Sequence, residues 1–417
     1  MLDQFRLGQK NRLAKRYLCK FFHEMSEIAY LTAEFACNVC FGDYENSFIF
    51  QSELDHKMDK KLKITEIARR TNLSTSTVSR VLAGKANTSA EARRKVLDCA
   101  QQNGILQGIS SGRLMLNNVM VFAPQRAFDV RTDIFYYKVI QGIAAALMEH
   151  EVRIRYCGLE EQHSDGALFL EKMSDPHTEA ALIIGIDDEH IHTLAADLHK
   201  PCVLINCSDR HMRLDSVSPD HQLIGDYSAS YLFQQGHSHI LNLQCLRRHT
   251  MELRLAGIRQ AYARHHLPFD DGRHLVTTSG FGSEEAEQAL TTYLDGIHGH
   301  SPLPTAILAG GDYMAVGAVK ALNKRGLSVP GDVSVMSTDG FNLAEIHDVP
   351  LTSVQVPRDE LGYEAIQLLQ RRMLRADAPP CNLLLHGRLA VRASVRRISP
   401  HKTAPAVSTH DHRLYDE

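Results

Sequence analysis

Residues 61–104 read KLKITEIARRTNLSTSTVSRVLAGKANTSAEARRKVLDCAQQNG, and this stretch decides how the rest of the 417-residue chain is understood. Ile64, Ile67, Ala68 and Thr71 recur at three- and four-residue intervals, which puts them on one face of a first helix. Asn72-Leu73 makes a tight turn. Ser74 then stands where its hydroxyl can cap a second helix, and Leu73 before it can pack on Val78. Val78, Val81 and Leu82 continue the apolar face and leave Thr75, Ser76, Ser79 and Arg80 outward. Ser89 caps a third helix with Ala92, Val96 and Ala100 inward and Gly104 at its C′ position. Short polar side chains and an arginine at the N-terminal end of the second helix suit base edges in the major groove, where arginine is the usual bidentate partner of guanine.

Charge is distributed to match. Between Met58 and Gly104 ten Lys/Arg stand against four Asp/Glu, net +6, although the whole chain carries −3. Residues 1–57 contribute −1, so the remainder carries −8. A compact basic module on an acidic body is the electrostatic footprint of a DNA reader.

The segment ITEIARRTNLSTSTVSRVL (64–82) closely resembles the N-terminal motif of the lactose/galactose-repressor (LacI/GalR) family, with T-V-S-R-V-L and the upstream Ala68 its most specific part. The resemblance implies that Thr75, Ser76 and Arg80 contact bases while Ser74, Thr77 and Ser79 help anchor phosphates. Family members also form a hinge helix whose leucine wedges into the minor groove, and counting from Gly104 puts Leu114 at that position. Here the chain departs from the family pattern: Gln107-Gly108 and Ser111-Gly112 replace the usual Pro-Asn and Ala-Arg pairs. The two glycines lower helix propensity.

From Val119 to about Arg397, strand-like and helix-like segments alternate. The apolar runs are Val119–Ala123, Ile154–Cys157, Ala181–Ile186, Cys202–Asn206, Ile240–Gln244, Leu275–Ser279, Thr305–Ala309, Ser334–Thr338 and Thr352–Val356. They are mostly apolar on consecutive positions, as in strands covered on both faces. Helical patterns lie between them, as at Tyr136–His150, His221–Gln235, Leu253–His266, Tyr313–Arg325 and Glu360–Arg375. Repeated βα alternation means parallel sheets flanked by helices, and this length suits two doubly wound lobes with a ligand cleft between them.

The family resemblance continues here, in TAILAGGDYMAVGAVKALNKRGLSVPGDVSVMSTDGF (305–341), GHSHI (236–240) and TSVQVPRDELG (352–362). It implies a periplasmic-binding-protein-like α/β effector domain whose lobes are crossed by three strands. It places Phe135 and Tyr136 as aromatics over a ligand, Arg248, Thr250 and Arg254 at its polar groups, and Phe281, Asp339 and Asp220 around it. Asp312 reads equally as a ligand contact or a helix-start cap, and Phe135 as core. The effector is expected to be a sugar or sugar derivative; the Arg248/Thr250/Arg254 trio also resembles the purine- or nucleoside-responsive branch.

The expected organisation is thus an extension over 1–57, an all-α helix-turn-helix domain over 58–104, a hinge linker over 105–118, a two-lobed effector domain over 119–397 and a polar tail over 398–417. The 1–57 segment shows no sustained period and no domain-sized core, so it is expected to be poorly ordered or to precede a functional start at Met58. The partners expected are double-stranded operator DNA, a small-molecule effector and a second copy of the chain; no cofactor, no metal and no membrane. Cys37 and Cys40 form a lone CxxC without a second pair, against a zinc site. No run of about 18 apolar residues and no export signal is present, so a cytoplasmic location is expected. P-loop and HExxH patterns are absent, and the one GxSxG match, Gly108–Gly112, falls in the expected linker, against an enzyme. The competing class is a cytoplasmic ligand sensor without sequence-specific DNA binding.

Overall fold

The computed structural model describes residues 64–83, 88–103, 116–130, 133–148, 150, 152–297, 302–341 and 350–398. Residues 1–57, Leu114 and residues 399–417, on which three expectations bear, lie outside them.

In the N-terminal unit, α1 covers residues 64–71, α2 Thr75–Leu82 and α3 Ala90–Gln102. Asn72 takes a left-handed φ of 55° to end α1, and Leu73 N closes back on Ala68 O at 3.1 Å. Ser74 caps α2 as its sequence position suggested: its hydroxyl accepts from Thr77 N at 3.1 Å, and Val78 N donates to its carbonyl. Ile67, Val78, Val81, Val96 and Ala100 are buried, while Thr75, Ser76, Ser79 and Arg80 are exposed.

The larger unit holds two six-stranded sheets. Lobe 1 is built from β1 (Asn118–Pro124), β2 (Arg153–Leu159), β3 (Ala180–Ile184), β4 (Cys202–Ile205), β5 (Asp215–Pro219) and β11 (Asn382–Leu385). Its order is β11-β5-β4-β3-β1-β2, every neighbour parallel. Lobe 2 uses β6 (Ile240–Gln244), β7 (Leu275–Thr277), β8 (Ala306–Ala309), β9 (Ser334–Ser337), β10 (Thr352–Gln355) and β12 (Arg388–Ala390) in the order β12-β10-β9-β8-β6-β7. Only β12 is antiparallel. β1 begins at Asn118, inside the expected linker, and Leu116 before it is already buried in the lobe 1 core.

Helices α4 (Ile134–Leu147), α5 (Gly166–Ser174), α6 (Glu189–Asp197) and α12 (Arg358–Leu374) accompany lobe 1. Helices α7 (His221–Gln234), α8 (His249–Arg264), the short α9 (Asp271–His274), α10 (Ser283–Gly296) and α11 (Asp312–Lys324) accompany lobe 2. The buried runs Val119–Ala123 and Ala180–Ile184 explain the double cover, since a strand apolar on both faces must be packed on both. Three helix pairs meet backbone to backbone, α10 with α11 at Gly317 among them. A methyl at Gly142 on α4 would fall 2.1 Å from the Asp359 carbonyl oxygen on α12, and one at Gly257 on α8 only 1.9 Å from that of Gln222 on α7.

β5 was not expected from the sequence, because Asp-Ser-Val-Ser-Pro carries no apolar run. It is fully buried nonetheless. Asp215 is accommodated by accepting from Arg372 Nε at 2.8 Å and from Cys381 N at 2.9 Å, which ties the strand to α12 and β11. The chain passes between lobes three times: between β5 and α7, between β10 and α12, and between β11 and β12.

Candidate effector cavity between the lobes

In parallel sheets the residue after each strand points out of its carboxyl end, and both sheets present that end to one cleft. Arg126 follows β1, Glu161 β2, Asp187 β3, Asn206 β4 and His221 β5; Arg247 and Arg248 follow β6, Phe281 β7, Gly310 and Gly311 β8, and Asp339 β9. They enclose or adjoin a cavity of about 410 Å³.

Seven of the nine residues nominated for the effector line it: Phe135, Tyr136, Arg248, Thr250, Arg254, Phe281 and Asp339. The other two do not. Asp220 is the N-cap of α7, its carboxylate accepting from Leu223 N at 3.0 Å, so the crossover spends that side chain on the helix terminus. Asp312 is buried beneath the floor, where Oδ1 accepts from the Ser337 hydroxyl and from Gly340 N. It neither lines the cavity nor caps its own helix; it organises the loop that presents Asp339. Burial, with the Asp339 carboxylate close by, pushes the Asp312 carboxyl up to about 6.

Arg254 is the centre of the floor and is 1% exposed. Its Nη1 donates to the Gly310 carbonyl at 2.8 Å and to Thr338 Oγ1 at 2.7 Å, and stands 3.4 Å from Asp339 Oδ1. Burial raises the Asp339 carboxyl pKa, while Arg254 and Arg358 pull it down. Asp339 is also held through its backbone, whose carbonyl accepts from Arg358 Nη1 at 2.9 Å; that guanidinium lies 4.1 Å over the Phe341 ring. A carboxylate beside a fixed guanidinium offers one acceptor and one donor edge to a hydroxylated ligand.

The opposite wall belongs to a charged cluster that joins the lobes. Arg248 donates Nε to Asp187 Oδ2 at 2.9 Å and Nη2 to Asp187 Oδ1 at 3.2 Å, a bidentate pair between lobe 2 and lobe 1. It also reaches the Asn206 carbonyl at 2.8 Å. Arg247 lies 3.0 Å from Glu161, which with Asp133 also pairs Arg126. Burial pushes the Asp187 carboxyl up to about 6, with Glu161 adding to it, and lowers Arg248 to about 9. Arg248 is therefore engaged by protein carboxylate, and Tyr136 is only 3% exposed, with the Arg126 and Arg248 guanidinium groups at 5.7 and 5.5 Å from its ring centre. Phe135 packs on the cores of both lobes.

Sequence reasoning missed Arg126, Asp133, Asn206, His221 and Arg247. The available signal was positional: Arg126, Asn206, His221 and Arg247 lie just beyond a strand's carboxyl end, and Asp133 is the N-cap of α4. His221 Nε2 contacts Asn206 Oδ1 at 2.8 Å, its Nδ1 meets Arg254 Nη2 at 3.0 Å, and Asn206 Nδ2 donates to the Tyr136 hydroxyl at 3.1 Å. Among the described residues no cluster of His, Cys, Asp and Glu is arranged to hold a metal, and no helix is long and apolar enough to cross a membrane.

Residues 63–104 match the family model for bacterial regulatory proteins of the lacI family, and residues 229–395 match that of a periplasmic binding protein-like domain. The chain thus carries a lacI-family DNA-binding region and a periplasmic binding protein-like domain. The HTH-type transcriptional repressor CytR of Escherichia coli (strain K12) is 25% identical over 347 residues, 82% of this chain and 98% of that protein. The repressor PurR of Vibrio parahaemolyticus is 25% identical, covering 81% and 99%, and the ribose operon repressor of Escherichia coli (strain K12) 26%, covering 79% and 98%. Two solved structures share the fold. One is a complex of the regulator CelR with cellobiose (TM-score 0.59, 22% identity, 79% of this chain and 99% of that one). The other is a LacI family regulator from Enterococcus faecium with bound ribose (TM-score 0.57, 20% identity, 68% and 100%). The chain is a transcriptional regulator with a DNA-binding helix-turn-helix.

Proposed function

We infer that this regulator is an operator-binding repressor whose DNA affinity is set by a sugar or nucleoside held between Arg254, Asp339 and Tyr136. The observation that carries this reading is the interlobe cavity, with a buried guanidinium–carboxylate pair on its floor and Phe281 and Phe341 at its side, in a chain that also carries a capped recognition helix. Hydroxyl groups would be taken by Asp339 and Arg254, and a ring face by the aromatic side chains. One relative is by its printed name a ribose operon repressor, and two structural neighbours hold cellobiose and ribose, which supports a sugar.

Thr75, Ser76 and Arg80 are the proposed base contacts, Thr77 and Ser79 phosphate contacts, and Leu114 the minor-groove wedge. Ser74 caps α2 by accepting from Thr77 N, and its hydroxyl proton is the proposed donor to a phosphate. The protein acts as a cytoplasmic homodimer, because one helix-turn-helix covers only a half-site, and it performs no catalysis. A sugar or sugar derivative is favoured over a nucleoside or purine, which remains the second reading on the strength of the Arg248/Thr250/Arg254 trio.

The test pairs electrophoretic shift on the protein's own upstream DNA with thermal-shift screening against D-ribose, cellobiose, nucleosides and purine bases. A ligand that binds the native chain must raise its unfolding midpoint. Sequence-selective, salt-sensitive DNA binding altered by one of these compounds supports the reading. Absence of selective binding at moderate salt overturns it in favour of a ligand sensor.

A further inference from the structure

We propose that His221 is a positioning residue that sets the hydrogen-bond polarity of the cavity, a role that rests on reading the cavity as the effector site. Placed between Arg254 and Asn206, it makes the Tyr136 hydroxyl a donor toward the ligand.

The polarity follows from Arg254, because a guanidinium can only donate. Arg254 Nη2 lies 3.0 Å from His221 Nδ1, so Nδ1 carries a lone pair. The ring proton is therefore on Nε2, which donates to Asn206 Oδ1 at 2.8 Å. That in turn fixes the Asn206 amide with Nδ2 toward Tyr136, to whose hydroxyl oxygen it donates at 3.1 Å. The tyrosine oxygen is thus an acceptor inside the protein, and its own proton is left for whatever fills the cavity that Tyr136 lines. The reverse order would set an N–H of the ring against the guanidinium. Burial and the positive charge of Arg254 hold the imidazole neutral, far below the usual histidine range.

Two further observations fit. Gly185, in the left-handed region at φ 62°, leaves room for the hydroxyl: a methyl there would fall 2.4 Å from it. The four residues also come from both lobes, Arg254 on α8 and His221 at the start of α7 in lobe 2, Asn206 after β4 and Tyr136 on α4 in lobe 1. The arginine that holds Asp339 is therefore the one that orients the far wall. The site takes a ligand with an oxygen or aromatic-nitrogen acceptor against Tyr136, such as a ring oxygen, hydroxyl or carbonyl. It rejects one that presents only N–H there.

The experiment uses the full-length chain labelled with ¹⁵N-histidine and ¹³Cζ-tyrosine, with His221→Gln and Tyr136→Phe assigning the two signals. The expected His221 spectrum has an unprotonated Nδ1 and a protonated Nε2, unchanged from pH 8 to pH 5.5. The opposite tautomer, or an imidazolium at pH 7, overturns the proposal. His221→Phe should shift the Tyr136 Cζ resonance, and His221→Gln should restore it, because a glutamine can accept from Arg254 and donate to Asn206. An unmoved Tyr136 signal in folded His221→Phe also overturns it. If that variant does not fold, the wild-type tautomer and the glutamine variant decide.

Affinity for D-ribose and adenosine gives the ligand arm. Tyr136→Phe and His221→Phe should each weaken binding by up to about ten-fold, and the double variant by no more than either, as for residues acting in series. Additive losses count against the relay. If wild-type protein binds neither probe, the sugar or nucleoside reading fails while the histidine spectrum still decides the role of His221.

Discussion

Replacing Gly257 by alanine should cost the effector domain about 1.5–5 kcal/mol, although the change adds a better helix former to the middle of a helix. The methyl would lie 1.9 Å from the Gln222 carbonyl oxygen, 2.8 Å from its carbon and 2.9 Å from Asp226 N. All three are backbone atoms, so no rotamer relieves the contact. Carbon and carbonyl oxygen settle at about 3.3–3.6 Å, and α8 must therefore withdraw from α7 by roughly 1.5 Å. Arg254 lies one turn earlier on α8, and its bonds of 2.7, 2.8 and 3.0 Å to Thr338, Gly310 and His221 would be stretched beyond hydrogen-bond range. Overpacking costs about 1–3 kcal/mol. Weakening hydrogen bonds to a buried charge adds about 1.5–3 kcal/mol, and helix propensity returns about 1 kcal/mol. Urea unfolding followed by circular dichroism measures the difference. Gly296→Ala on α10 is the control, since nothing stands within 4 Å of a methyl there. A Gly257→Ala midpoint within about 0.5 kcal/mol of wild type, at unchanged slope, would refute the account of this helix contact.

Acid should destabilise the protein from the ordinary histidine range downward. Burial lowers His192, His221, His237, His239 and His274 in the folded chain, so the unfolded chain binds more protons below about pH 6.5 and stability falls by up to about 1.4 kcal/mol per pH unit for each. The raised carboxyls of Asp187, Asp312 and Asp339 act with the opposite sign, so the informative quantity is the reduced pH slope of urea midpoints in His221→Gln relative to wild type. Equal slopes would show that His221 titrates alike in both states. Arg248→Ala should strand Asp187, costing about 3–5 kcal/mol or opening the cleft, which small-angle scattering would register as a larger radius of gyration. Ser74→Ala should cost about 1 kcal/mol of helix-turn-helix stability, read by hydrogen exchange in α2, and Ser74→Asp should recover most of it. Arg80→Ala should weaken operator binding by about 1–3 kcal/mol and relax base preference, measured by titration against single-base operator variants.

The strands that could be read from the sequence are those whose burial is written in apolar runs, such as Val119–Ala123 and Cys202–Asn206. β5 escaped because its burial is underwritten by Asp215 binding Arg372, more than 150 residues away, β12 because the edge strand Arg-Leu-Ala carries little apolar sequence, and β11 because its apolar run, Leu383–Leu385, is too short to stand out. The cavity divides in the same way. Arg254, Asp339 and Phe281 sit in segments with a family-like pattern, whereas Arg126, Asn206 and His221 come singly from positions just after strands with no local motif. Only the assembled sheets bring them together. Asp220 and Asp312 show the converse: acids at plausible places can be spent on a helix cap or on bracing a loop, and only their hydrogen-bond partners distinguish the uses.

The three passages of the chain between the lobes also bear on how the molecule is made. A ribosome delivers α1 to α3 first and then β1 to β5, but α12 and β11, which cover α4 and flank β5, come from residues 358–385. Until they emerge, Val139 and Ile143 of α4 lack the Leu361, Ala365 and Ile366 that share their core cluster, and Asp215 lacks its arginine. Throughout synthesis of lobe 2, lobe 1 is an unfinished sheet with an uncovered apolar face, the condition in which chaperones are recruited and neighbouring nascent chains stick. Neither lobe is a contiguous piece of polypeptide. Truncation anywhere before β11 thus removes part of both, and the native body closes only when the last sixty residues of the chain are being delivered.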